Sequence, residues 1–79
     1  MAIYVAIRKV SENDVQAVYE FGPDEKRVGQ IRVVKASGEI DVLSEVPGDE
    51  KPVFSPCAKR KLLLHWRSSE FPDKTCWAS

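Results

Sequence analysis

The chain is predicted to fold as an α+β domain: a four-stranded antiparallel meander with one C-terminal helix packed on one face, in two layers. Three observations predict this. Four short segments rich in Val, Ile, Tyr and Phe follow one another within the first 46 residues. Only compact turn-forming stretches separate them, which favours antiparallel neighbours over crossover connections. A later segment, "SPCAKRKLLLHWRSS", carries apolar residues at helical spacing, with no Gly or Pro beyond its first turn.

Residues 2–10, "AIYVAIRKV", are short and rich in β-branched side chains. Their first half is apolar on both faces, as suits a central strand or one covered on its second side. "SEND" supplies turn chemistry through short polar side chains that bond nearby backbone. In "VQAVYEF", Val15, Ala17, Tyr19 and Phe21 alternate with Gln16, Val18 and Glu20, the mark of a half-buried strand. "GPDEKR" is a charged turn led by Gly-Pro. "VGQIRVVKA" forms the third strand, with Ile31 and Val33 inward and Gln30 and Arg32 outward. Gly38 in "KASGE" suits the left-handed position of a hairpin loop. "EIDVLSEV" is the fourth strand, with Ile40 and Val42 on the buried side, so the sheet spans residues 2–46.

"PGDEKP" leads into a helix expected at about residues 55–69. Ser55 is a natural N-cap, and Pro56 sits well at the first helical position, where its missing N–H is not needed. Pro72 lies beyond the end, and residues 70–79 form a tail with room for one last extended piece. At 100° per residue, Ala58, Leu62 and Trp66, with the neighbouring His65 and Ser69, fall on one stripe. Leu62, Leu63 and Leu64 together sweep roughly 200° of circumference, more than one sheet can bury. Lys59, Arg60, Lys61 and Arg67 fill the gaps and can lay their alkyl stems over apolar surface. Either the tail folds back over a leucine through Phe71 or Trp77, or Leu63 or Leu64 belongs to an interface with a second chain.

Seventy-nine residues make a single domain, 1–79, near the lower limit for a core without staples. Net charge is zero, so no long-range field dictates a nucleic acid or an anionic membrane as partner. The charge is nevertheless segregated: residues 11–50 sum to −6, while residues 1–10 and 51–79 carry +2 and +4. A signal peptide is not expected at "MAIYVAIRKV", and no run approaches the roughly 18 apolar residues of a membrane span. With two cysteines, Cys57 and Cys76, a cytoplasmic protein with two thiols is the expectation. An oxidising compartment would instead allow one disulfide between them.

The chemistry-bearing residues are few. His65 is the only histidine, and Cys57, His65 and Cys76 lack the paired close spacing of a zinc site. A Cys-His pair for thiol catalysis is conceivable, but a lone histidine on a helix stripe ordinarily packs or caps. Gly22, Gly29, Gly38 and Gly48 are isolated, so no phosphate-binding loop is present. Asp24-Glu25 and Asp49-Glu50 read as solvated loops, or as an acidic surface for a basic partner. Trp66 and Trp77 are large anchors, one expected to seal the core and the other, Trp77, to serve as staple or interface anchor.

The middle stretch "FGPDEKRVGQIRVVKASGEIDVL" and the closing "HWRSSEFPDKTCWAS" resemble small, mostly uncharacterised bacterial proteins of about this size. The layout of a charged meander followed by one amphipathic helix is similar to that of immunity partners of secreted bacterial toxins. The resemblance implies a small bacterial binding protein and assigns no catalytic or ligand residue.

The expected function is therefore a non-enzymatic protein–protein interaction module, immunity-like in covering a partner's surface, with no cofactor and no metal. Asp24, Glu25, Asp49 and Glu50 would steer a basic partner, and Leu63, Leu64 and Trp77 would anchor it. A homodimer through the helix or a sheet edge is the simpler form of the same idea. Two alternatives belong to other classes. One is a nucleic-acid binder using Arg8, Lys9, Arg60, Lys61 and Arg67, against which zero net charge counts. The other is a small thiol enzyme using Cys57 or Cys76.

Overall fold

Among the described residues, five strands and one helix follow in chain order: β1 Tyr4–Glu12, β2 Gln16–Gly22, β3 Gly29–Val34, β4 Ile40–Ser44, α1 Phe54–Arg67 and β5 Lys74–Ala78. The computed structural model describes residues 3–50 and 52–78. Ala2, Lys51 and Ser79, expected in the first strand, the 47–51 loop and the tail, lie outside the described residues. The strands form one antiparallel sheet in the order β4-β3-β2-β1-β5. The meander and the single helix are as expected, but the sheet has five strands, not four. "KTCWA" in the tail pairs with β1 from Tyr4↔Ala78 to Arg8↔Lys74. Its partner lies some 70 positions away in sequence, and no hairpin turn announces it. β1 is thus an inner strand, which accounts for its apolar start.

One face of the sheet is the core. Val5 and Ile7 of β1, Ala17, Tyr19 and Phe21 of β2, and Ile31 and Val33 of β3 are all buried, in register across the strands. Ile40 and Val42 pack against them from β4. Val15, expected to continue the inward row, is instead 64% exposed. Asn13 forms a turn there, its Oδ1 accepting from the Val15 and Gln16 N–H groups, so β2 begins one residue later. Val10 is a bulge in β1, where Lys9 faces Tyr19 and Ser11 faces Val18. That extra residue puts Lys9 and Glu12 on the same face, and their side chains meet at 2.6 Å.

The helix lies over this face, burying Ser55, Ala58 and Leu62. It starts at Phe54 with Val53 at the N-cap, not at Ser55, which is buried within the first turn. The Asp49 carboxylate does the capping, its Oδ2 accepting from Val53 N–H at 3.0 Å and Phe54 N–H at 3.5 Å. Reaching in from the preceding loop, Asp49 satisfies donors that a fully buried Ser55 is not placed to serve.

The helix ends at Arg67, two residues earlier than expected. Ser69 adopts φ 57°, its N–H donates to the Trp66 carbonyl, and the Glu70 N–H reaches back to the His65 carbonyl. This is a Schellman stop with serine where glycine is usual. Trp66 ties the helix to the β3–β4 hairpin: its Nε1–H donates to the Lys35 carbonyl at 2.7 Å. Gly38, at φ 76°, lies under the indole, where a Cβ would come within 2.8 Å of the ring. The left-handed glycine expected from "KASGE" therefore has a second duty, close approach to the tryptophan.

Candidate protein-binding surface

The fourteen residues of α1 contain no acid, and Lys59, Arg60, Lys61 and Arg67 supply four bases. With Leu62 turned into the sheet, helical geometry puts Arg60 and Leu64 on the far side, each about 160° away. Leu63 and Arg67 then flank towards β4, while Cys57 and Lys61 flank towards β5. The burial follows this order: Leu62 is 2% exposed, Leu63 half-buried and Leu64 49% exposed. Leu63 borders a shallow groove with Gly38, Ile40, Lys59 and Arg60. Trp77 is half-buried beside the core, and the Arg60 guanidinium lies over its ring, 5.6 Å from the centroid. The helix crown is therefore a basic ridge with one leucine at its centre.

Charge pairing elsewhere sharpens the contrast. Arg8 meets Glu20 at 2.8 Å and Arg32 meets Asp41 at 2.6 Å on the uncovered face of the sheet. Glu12 bridges Lys35 and Lys9, each at 2.6 Å, and those two hydrogen-bonded ammonium groups lower its carboxyl pKa from the ordinary value. Lys9 also approaches Asp73 at 3.3 Å. Among the described residues, none of the four helix bases contacts a carboxylate. On the helix crown, four bases in one element thus stand without a carboxylate partner.

Two of the four acids singled out from the sequence, Asp24 and Asp49, have local duties. Asp24 Oδ1 accepts from the Lys26 and Arg27 N–H groups, folding the 22–27 turn. Asp49 caps the helix, as above. Arg27 Nη2 donates to the Pro47 carbonyl at 3.2 Å and joins the two acidic loops. Glu25 and Glu50 are exposed, Glu25 beside Arg8 at the rim of a depression of about 210 Å³ on the uncovered sheet face. These four residues therefore lie away from the helix crown that carries Leu63 and Leu64.

The sheet keeps the thiols apart. Cys76 pairs with Ala6, between inward-facing neighbours, so its side chain lies on the uncovered face. His65 is on the helix side, its Nε2 3.1 Å from Thr75 Oγ1. Cys57 is on the helix as well, and both cysteines are free. A Cys-His-Cys constellation is not brought together, nor is a Cys57–Cys76 bond. Among the described residues no group of three His, Cys, Asp or Glu side chains is placed to hold a metal ion. None of the described helices is long and apolar enough to cross a membrane.

The isolation of Lys59, Arg60 and Lys61 is legible in the sequence, because none of them has an acid at i±3 or i±4. The free edge of β5 was beyond reach until the fifth strand was known. Comparison with known proteins finds no matching family model, no curated protein of similar sequence and no solved structure of similar fold.

Proposed function

We propose that this protein is a non-enzymatic protein-binding module whose docking face is the crown of α1. The partner it fits presents an acidic surface with an apolar notch. Leu64 enters the notch, Leu63 adds contact from the groove, and Arg60, Lys61 and Arg67 meet the acids around it. The observation that carries this reading is the half-exposed Leu64 set among bases that have no carboxylate of their own. Exposed leucine supplies the apolar anchor, and the unpaired bases supply steering and orientation. The sign of this partner is opposite to the one expected from the acidic loops, where Asp24 and Asp49 accept turn and cap hydrogen bonds while Glu25 and Glu50 stay exposed. Such a module acts by covering its partner, as immunity-type proteins do.

The test uses immobilised wild-type protein beside Leu64→Asp and the Arg60→Glu, Arg67→Glu pair, each exposed to extract of the native cell. All three positions are exposed, and the arginine pair costs folding about 1–2 kcal/mol through the lost Arg60–Trp77 contact and the lost base in the last helical turn. The expected result is a protein retained by the wild type, lost by both variants, and bound again in purified form with affinity that falls as salt rises. Equal capture by all three overturns the reading. Retention on duplex DNA or RNA at low salt, lost in the arginine variant and unchanged in Leu64→Asp, would replace it with nucleic-acid binding.

A further inference from the structure

The two edges of the sheet are unlike. β4 is interrupted by a bulge at Leu43, since Gln30 faces Ser44 while Ile31 faces Val42. Glu39, Asp41 and Glu45 line it. Bulges and like charges are the usual protection of an edge against strand addition. β5 has neither: its register with β1 is unbroken over five residues, and its one charge is Lys74.

The direction of its backbone groups follows from the ladder. The Lys9 N–H donates to the Asp73 carbonyl, so the alternate residues Thr75 and Trp77 turn their N–H and C=O groups towards β1. Lys74, Cys76 and Ala78 turn theirs outward. Three residues with unpaired donors and acceptors thus stand in a row, with Cys76 at the centre.

We propose that β5 pairs antiparallel with β5 of a second copy across a two-fold axis at Cys76. Two five-stranded sheets become one of ten. In this register Cys76 faces the partner's Cys76, Lys74 faces the partner's Ala78, and Thr75 faces the partner's Trp77. Cys76 meets its own small copy, and on either side the larger Lys74 and Trp77 meet the smaller Ala78 and Thr75, so the edge is complementary to itself. The outward groups of the three residues exchange about six backbone hydrogen bonds. On the helix side, Trp77 and the partner's Trp77 become diagonal neighbours about 7–8 Å apart, within reach of aromatic side chains. A second copy is favoured over an unrelated strand by this match and by the absence of net self-repulsion in a chain of zero net charge. The two-fold arrangement also closes on itself, whereas β5 on β4 of a neighbour would propagate a filament. This interface lies at a different place from the helix crown, and each reading stands without the other.

Sedimentation equilibrium of the full chain, with cross-linking by a short bismaleimide, tests it. The expected result is a concentration-dependent dimer that cross-links, with Cys76→Ser abolishing the link and Cys57→Ser preserving it. Ala78 and Lys74 are exposed, which allows a charge test without disturbing the core. Ala78→Glu sets two carboxylates against two lysines across the axis and should tighten the dimer about fivefold. Ala78→Lys should weaken it about as much, and Lys74→Glu added to Ala78→Lys should restore it. A monomer at every concentration up to about 1 mM overturns the proposal. So does a cross-link that runs through Cys57, or equal affinity of the two Ala78 variants.

Discussion

Tyr19 is fully buried at the centre of β2, and its hydroxyl finds no hydrogen-bond partner among the described residues. A hydroxyl desolvated without a protein partner costs about 1–3 kcal/mol. Tyr19→Phe keeps the ring and removes that cost, so the variant should be about 1–2 kcal/mol more stable at pH 8. For a domain of this size that is a rise in Tm of about 4–8 °C per kcal/mol. The pH dependence gives a second, independent signature. Burial pushes the Tyr19 phenol up to about 12, from an ordinary value of 10. Between those values the unfolded chain has lost this proton and the folded chain has kept it, so stability falls as pH rises. Two pH units correspond to at most about 3 kcal/mol. Lys9, held protonated to higher pH chiefly by its hydrogen bond to Glu12 and in smaller part by Tyr19, contributes in the same direction. Urea unfolding of wild type and variant at intervals from pH 8 to pH 12 reads the tyrosine together with its smaller effect on Lys9, because the other shared groups cancel in the difference. The gap in favour of phenylalanine should be constant up to about pH 9.5 and then widen. A variant less stable than wild type by 1 kcal/mol or more at pH 8 would refute the reasoning, as would two parallel pH curves.

Other substitutions bear on the helix ends and the hairpin. Ser69→Gly relieves a left-handed residue in the Schellman stop and should stabilise by about 1 kcal/mol, read as a higher midpoint with unchanged m-value. Asp49→Ala removes the acceptor for two helix N–H groups and should cost about 1 kcal/mol in urea unfolding, with early fraying of the first turn visible as faster amide exchange at Val53 and Phe54. Gly38→Ala meets both a φ of 76° and the Trp66 ring, so it should destabilise by about 2 kcal/mol or more and shift the indole fluorescence.

Much of the fold was legible because one physical signal, alternation, suffices for a half-buried strand. Ala17, Tyr19 and Phe21 could be placed inward from spacing alone, as could Ile31 and Val33. Val15 could not, because the turn made by Asn13 overrides the pattern one residue before the strand begins. Ser55 looked like a cap by type, but capping depends on where a side chain can reach, and Asp49 reaches from four residues before Val53. The fifth strand was hidden for a different reason. A five-residue segment containing one lysine and one tryptophan has little pattern of its own, and its pairing is set by the distant β1. On the helix, consecutive leucines foretold surplus apolar surface by geometry alone. Composition counted the carboxylates but could not show that Asp24 and Asp49 also accept turn and cap hydrogen bonds while Glu25 and Glu50 stay exposed.

The closure of the sheet by β5 also sets the order in which the molecule can form. β1 leaves the ribosome long before its second neighbour, β5, some 70 positions later. Until Lys74–Ala78 arrives, the apolar start of β1 has an open flank, and any nascent chain halted before residue 74 carries it unguarded. Pairing across some 70 positions comes late and is entropically slow, so the assembly step that completes the core is the one most exposed to misassociation during synthesis.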